Sequence, residues 1–344
     1  MKNFKKSVLL ILLLSLYIGV QAQPYIASRL VDGRKIGYLS VGVNVGFTNY
    51  FGDLNPQEQY ISTDLTKTRP SIGINLTRKL SPRIMVRGDF NWARLAANDF
   101  QAADPVDERS RYRYIRNAHF RNDLWELSAV VTYDLLRSPF VFHKRVPVTP
   151  YLLLGLGLFY HDPKAKTPEE FGNDWVRLRP LRTEGQGLVR EFGPNAGTKY
   201  DKPYSLFQPV IPVGVGVRFK LNDRTDLSFE VAYRISFTDY LDDVGGNYAN
   251  PNDLESDLAR AIANRTLELT DAQTGGSRST DLDNFINNVS PIVLDQAGRP
   301  TITGFGNDGD KRGENANQDI YLVAGFKLNY ILGVGLRCPG GGKR

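Results

Sequence analysis

Val41-Gly42-Val43-Asn44-Val45-Gly46-Phe47-Thr48 alternates apolar side chains with small or polar ones. A period of two puts successive side chains on opposite faces of an extended strand, so this stretch has one apolar face and one polar face. Comparable tracts recur along the chain, giving eight in all: Gly37–Tyr50, Pro70–Leu80, Pro82–Leu95, Arg121–Leu136, Pro147–Tyr160, Ser205–Leu221, Arg224–Tyr240 and Asp319–Leu332. An even number of two-faced strands fits a closed antiparallel barrel, in which no edge is left unpaired.

The connections sharpen that expectation. Short joins at Ser81-Pro82, around Ser138-Pro139 and at Asn222-Asp223 follow tracts two, four and six. Long connections follow the odd-numbered tracts, the longest covering about 161–204 and 241–315. Short turns at one end and long loops at the other are the organisation of an all-β, eight-stranded antiparallel transmembrane β-barrel, with short periplasmic turns and long extracellular loops. The barrel is expected over 23–332 and a periplasmic tail over 333–344.

Lys2, Lys5 and Lys6, the apolar run Val8–Val20 and the small-x-small triplet Val20-Gln21-Ala22 form a signal peptide over 1–22, cleaved near Ala22/Gln23. The implied destination is the outer membrane, as an integral protein among its lipids. The residue directly after the cleavage site is Gln23 and not cysteine, so a lipoprotein is not expected. The formal net charge of +6 falls to +3 without those three lysines. With no long basic block, nucleic acid is not an expected partner, and the Arg-rich piece Arg109–Arg116 reads as a solvated or lipopolysaccharide-facing loop.

The faces of the tracts place charge inside. Leu227, Phe229, Val231, Tyr233, Ile235 and Phe237 back onto Ser228, Glu230, Ala232, Arg234, Ser236 and Thr238. By the same phase Arg87, Asp89, Glu126, Arg218 and Lys327 join Glu230 and Arg234 in the lumen. Eight strands leave an interior that side chains fill, which favours a paired plug over a conducting pathway. Aromatic residues at tract ends, namely Tyr38, Tyr50, Phe51, Trp92, Trp125, Tyr151, Tyr160, Tyr240 and Tyr330, suit interfacial girdles.

Signs of chemistry are sparse. The single Cys338 rules out an intrachain disulfide and a cysteine-based zinc site. His143 belongs to a short turn, whereas His119 and His161 belong to the other end, so no shared histidine site is expected. Nothing marks a nucleophile with its base and orienting group, and neither an enzyme nor a cofactor or metal is expected. Asp308-Gly309-Asp310-Lys311-Arg312-Gly313 with Asp319 has oxygen ligands spaced like a calcium loop, but Arg312 stands where a ligand belongs, and a solvated turn fits better.

In the seventh connection Leu254, Leu258, Ala261 and Ile262 predict a short helix capped by Asn252, and Leu282, Phe285, Ile286 and Val289 predict a second. A flexible loop is the alternative. The fifth connection reads as irregular.

Three motifs carry a family likeness. They are Tyr50-Phe51-Gly52-Asp53-Leu54-Asn55 leaving the first strand, Phe237-Thr238-Asp239-Tyr240-Leu241-Asp242-Asp243-Val244 leaving the seventh, and Lys311-Arg312-Gly313-Glu314-Asn315 ahead of Gln318-Asp319-Ile320-Tyr321. With these the chain resembles the PorG-like outer-membrane barrels associated with the type IX secretion system. The resemblance implies a structural or assembly component of that machine, a barrel that contacts a periplasmic ring lipoprotein. The physical counterpart is an acidic rim, Asp53 with Asp239–Asp243, clamping Arg312. Independent solvated loop charges are the alternative.

On the periplasmic side, Phe140, Val141 and Phe142 beside His143, with Cys338 in the tail, are contact candidates, either for a protein or for the inner headgroup layer. The other functional class is a stand-alone surface barrel or small pore whose extracellular loops bind an external ligand.

Overall fold

The computed structural model describes residues 37–55, 68–139, 142–314 and 318–333. The signal segment, Phe140 and Val141, and the tail with Cys338 lie outside the described residues. Eight long strands run β1 Leu39–Phe51, β2 Arg69–Lys79, β3 Ile84–Asn98, β4 His119–Asp134, β5 Val148–Tyr160, β6 Phe207–Lys220, β7 Thr225–Ser236 and β8 Ile320–Gly333. Each pairs antiparallel with its sequence neighbours, and β1 pairs with β8 from Leu39↔Gly333 to Phe51↔Ile320. The sheet therefore closes on itself as an up-and-down meander, a membrane-spanning β-barrel.

Alternation decides which side of each strand meets lipid. Val45, Ile74, Leu127, Leu158 and Val215 are each more than half exposed on the outer face. Their strand neighbours Asn44, Asn75, Glu126, Phe159 and Gly216 are buried. A continuous apolar outside over a polar inside is stable only in a bilayer, since the backbone bonds are satisfied around the closed ring. Among the described residues no helix is long and apolar enough to cross a membrane; the strands make the crossing.

The girdle expectation needs correction at several positions. Trp92, Trp125, Tyr160 and Tyr330 follow the outward phase, whereas Tyr38, Tyr50, Phe51 and Tyr151 are fully buried. Tyr38, Tyr50 and Tyr151 follow the inward phase, where Tyr50 and Tyr151 meet carboxylates, whereas Phe51 shares the phase of Val45 and Phe47 and is buried at the cap end of β1. Tyr133, on the outward phase at the end of β4, belongs to the belt instead.

The long connections form a folded cap over one end. Helices α1 Asp99–Ala102, α2 Arg111–Arg116, α3 Asp257–Ala263 and α4 Ser279–Asn288 sit there. Tyr114, Ile115, Tyr248, Leu282, Phe285, Ile302 and Phe305 make the cap its own apolar core. The N-cap of α3 is Ser256, whose hydroxyl accepts from Ala259 N–H; Asn252 instead donates its backbone N–H to Asn250, in the turn before. The fifth connection is not wholly irregular: strands Lys164–Lys166 and Trp175–Arg177 pair with each other and extend the sheet from Arg121. Arg111–Arg116 is a helix rather than a solvated loop, with Arg116 buried.

If the closed barrel is right, samples that are not boiled should migrate differently from boiled ones on a denaturing gel, and far-ultraviolet dichroism in detergent should be dominated by sheet. A helical spectrum or an unchanged gel position would contradict the closure of β1 on β8.

Candidate functional site

Side chains from non-neighbouring strands meet across the lumen in three levels. Nearest the cap, Arg234 Nε lies 3.1 Å from Glu126 Oε2, which also accepts from Tyr321 at 2.9 Å. In the middle, Arg87 donates to Glu230 at 3.0 Å and to Asp89 at 2.7 Å. Lys327 stands 3.2 Å from Asp89 and 3.3 Å from Glu230, and Tyr151 donates to Glu230 at 2.6 Å. At the short-turn end, Lys79 and Arg218 share Asp134 at 2.8 and 3.0 Å, and Arg145 holds Asp226 at 2.8 Å.

All seven residues placed inside by their phase thus take part. Lys79, Asp134, Arg145 and Asp226 were missed, although Lys79 follows Asn75 and Thr77 on the inward phase of β2. A cavity of about 30 Å³ remains between Glu126, Glu230, Arg234 and Lys327, room for a water or two. Charges this dry are held by their partners, and removing one partner costs about 3–5 kcal/mol.

The mouth is shut by apolar packing. Leu241 and Val244 descend from the seventh connection onto Leu54, Leu95, Phe120, Leu124 and Phe159. Above that plug the three family-like motifs converge. Tyr50 Oη lies 2.6 Å from Asp242 Oδ2 and 2.8 Å from Asp319 Oδ1, and Asp319 Oδ2 accepts from Leu241 N–H at 2.8 Å. A phenol has one proton to give, so the second of these contacts requires that one of the two carboxyls be protonated. Burial, then Asp53 for Asp242 and Asp242 with Asp239 for Asp319, pushes both carboxyls well above the usual range.

Arg312 is clamped, but by a partner outside the acidic rim as well as one within it. Its guanidinium donates to Glu184 Oε1 and Thr183 Oγ1, both at 3.0 Å, and to Asp243 O at 2.7 Å. Asp53 accepts from Glu314 N–H at 3.0 Å. Arg116 ties this ring together: it pairs with Asp99 at 2.8 Å and donates to Arg312 O at 2.6 Å and Asp53 O at 3.1 Å. Glycine is required where the ring closes. A Cβ on Gly313 would collide with Asp53 Oδ2, and one on Gly52 with Asp319 Oδ1 and the Tyr50 hydroxyl. Asp243 adopts φ of +67°, tolerated because Thr183 and Tyr204 both donate to its carboxylate.

The calcium-loop residues do not surround one point: Asp310 accepts from Asn307 N–H, Arg312 is buried in its clamp and Asp319 belongs to the Tyr50 bridge. His119 accepts from Lys166 N–H, and burial pushes the His161 imidazole down to about 4; His143 lies at the opposite end. At that end Phe142 is tucked against Tyr38, Met85 and Ile331 rather than exposed, leaving His143 and Lys144 as the exposed part of the turn.

With this geometry in place, comparison with known proteins adds a domain of unknown function, DUF6089, whose family model matches residues 31–172. No curated protein matches the chain. Among solved structures, Neisserial surface protein A is 10% identical, with 85% of this chain and 96% of that one covered at a TM-score of 0.35. OprG from Pseudomonas aeruginosa is 9% identical over 87% and 98%, at 0.31. The outer-membrane protease OmpT from Escherichia coli is 9% identical over 86% and 97%, also at 0.31. The barrel assignment rests on this chain's own strand pairing rather than on these distant likenesses.

Two outcomes follow from the site. Glu230→Ala should destabilise the barrel by about 3–5 kcal/mol, against nearly nothing for the exposed control Lys144→Ala, in denaturant unfolding; equal small effects would refute the plug. Asp239, pushed up to about 8 by burial and by Asp53, Asp242, Glu184 and Glu314, keeps its proton in the folded state after an ordinary carboxyl has lost it. Its contribution is therefore favourable at acid pH and lost as the pH climbs through that interval. Proteolysis of 237–250 should accelerate as the pH rises from about 4 to about 8 and level off above it, and Asp239→Asn should flatten the rise; a cap indifferent to pH would contradict it.

Proposed function

We propose that the protein is an outer-membrane barrel with a structural or assembly role, a non-catalytic anchor that contacts a periplasmic ring lipoprotein of a type IX-like secretion machine. The observation that carries the structural part is the doubly closed interior: paired charges through the lumen and an apolar plug under a folded cap. A barrel built to pass solute would have little use for either. The secretion part rests on the PorG-like motifs. Their residues gather around the mouth, in the ring, the plug and the top of the lumen: Tyr50, Gly52, Asp53, Leu54, Asp239, Tyr240, Leu241, Asp242, Arg312, Gly313, Asp319 and Tyr321. The contact is assigned to the short-turn end, through His143 and its turn, and to the tail.

A surface barrel that binds an external ligand is the second reading. It is supported by a groove of about 600 Å³ in the cap, between Lys166–Asn173 and Ala261–Gly275.

Deleting the gene decides between them. Cargo with a C-terminal sorting domain should then fail to leave the cell, and a photo-crosslinker at position 143 should trap the ring lipoprotein. Normal secretion with no crosslinked partner would leave the ligand-binding barrel as the better account.

A further inference from the structure

The turns after β2 and β6 are one turn made twice. In Leu80-Ser81-Pro82-Arg83-Ile84, the N–H groups of Leu80 and Ser81 donate to Ile84 O at 3.0 and 3.1 Å, and Ser81 Oγ accepts from Arg83 N–H at 3.2 Å. In Leu221-Asn222-Asp223-Arg224-Thr225, the N–H groups of Leu221 and Asn222 donate to Thr225 O at 3.0 and 3.3 Å, and Asn222 Oδ1 accepts from Arg224 N–H at 2.9 Å. Each arginine then reaches the strand beyond. Arg83 O accepts from Asp134 N–H at 2.7 Å and Arg224 O from Ile331 N–H at 2.8 Å. Arg83 Nη1 donates to Tyr133 Oη at 2.9 Å, and Arg224 Nη1 to Tyr330 Oη at 3.3 Å. Because β3 and β7 are four strands apart in a ring of eight, the two constructions face opposite sides of the barrel.

Both tyrosines belong to the lipid-facing surface, 41% and 48% exposed, with Leu80 and Leu221 exposed beside them. A phenol that accepts from arginine keeps its own O–H to give, and the guanidinium keeps N–H groups that the phenol does not use. Each pair is thus a cationic fork of unspent donors at the level where headgroups lie. Arg78, Arg137 and Lys144 are exposed at the same end. The exposed acid of the second turn, Asp223, is already neutralised by Lys220 at 2.9 Å. A neutral ligand would leave that excess of positive charge unanswered; an anionic one meets it.

We propose that Arg83–Tyr133 and Arg224–Tyr330 are two equivalent sites for the phosphate of an anionic phospholipid headgroup, gripping the leaflet at the short-turn end from opposite sides. The proposal is independent of the secretion role, since the sites lie on the barrel's flank.

The test uses the full mature chain in vesicles of phosphatidylcholine alone and of an equal mixture with phosphatidylglycerol, reading the midpoint of heat unfolding from the shift of the folded gel band. The wild-type midpoint should be higher in the mixed vesicles. That gain should fall by about half in Arg83→Gln or Arg224→Gln, shrink in Tyr133→Phe and Tyr330→Phe, and vanish in the double arginine variant. Each variant is its own reference across the two vesicles, so a general loss of stability does not mimic the result. Inorganic phosphate added to phosphatidylcholine vesicles should not restore the gain; if it does, the site takes free phosphate and the lipid assignment fails. No gain in the wild type, or an undiminished gain in the double variant, overturns the proposal and leaves these arginines to an acidic protein surface.

Discussion

Arg87 reaches from β3 across the lumen to Glu230 on β7, the strand diametrically opposite, and Asp89 and Lys327 complete the square. Backbone pairing joins only neighbouring strands, so a ring held by that alone could flatten or shear. Cross-lumen charge pairs fix strands that never touch. Their attraction is strong because side chains have displaced the water, and any one of them left alone would be costly for the same reason. The register of all eight strands is therefore tied to the pairing inside: a slip of one residue would turn Glu230 to lipid and Phe229 inward.

The mouth continues the same logic with different chemistry. Where the lumen matches each carboxylate with a cation, the ring of Asp53, Asp239, Asp242 and Asp319 has fewer cations than acids among the described residues, and it resolves the excess by keeping protons. Arg116 and Arg312 take the backbone carbonyls and the remaining acids, drawing three loops onto the barrel. The outcome is a cap whose attachment responds to pH and a barrel whose interior does not need to.

Much of this was legible in the sequence because a strand's two-residue period is insensitive to distant context. The eight tracts, the inward phase of Arg87, Glu126, Glu230 and Lys327, and the helix around Leu282 and Phe285 all follow from local pattern. What escaped depends on where loops land. Glu184, which neutralises Arg312, lies in a connection without periodicity, and Arg145 comes from a turn before folding back to Asp226. Tyr38, Tyr50 and Tyr151 look like girdle residues by their position at strand ends, but phase and not position decides which way they face, and Phe51 is buried although it keeps the outward phase of Val45 and Phe47. Asn252 is a plausible cap in an Asn-rich stretch; Ser256 has the hydroxyl in reach of Ala259 N–H in the helix's first turn.

The central claim is that the interior is closed by matched charge and by the plug beneath the cap. Single-channel recording of the purified full chain in planar bilayers tests it most directly: the account predicts a silent membrane at moderate voltage. Steady, ohmic steps of large conductance from the unmodified protein would contradict it.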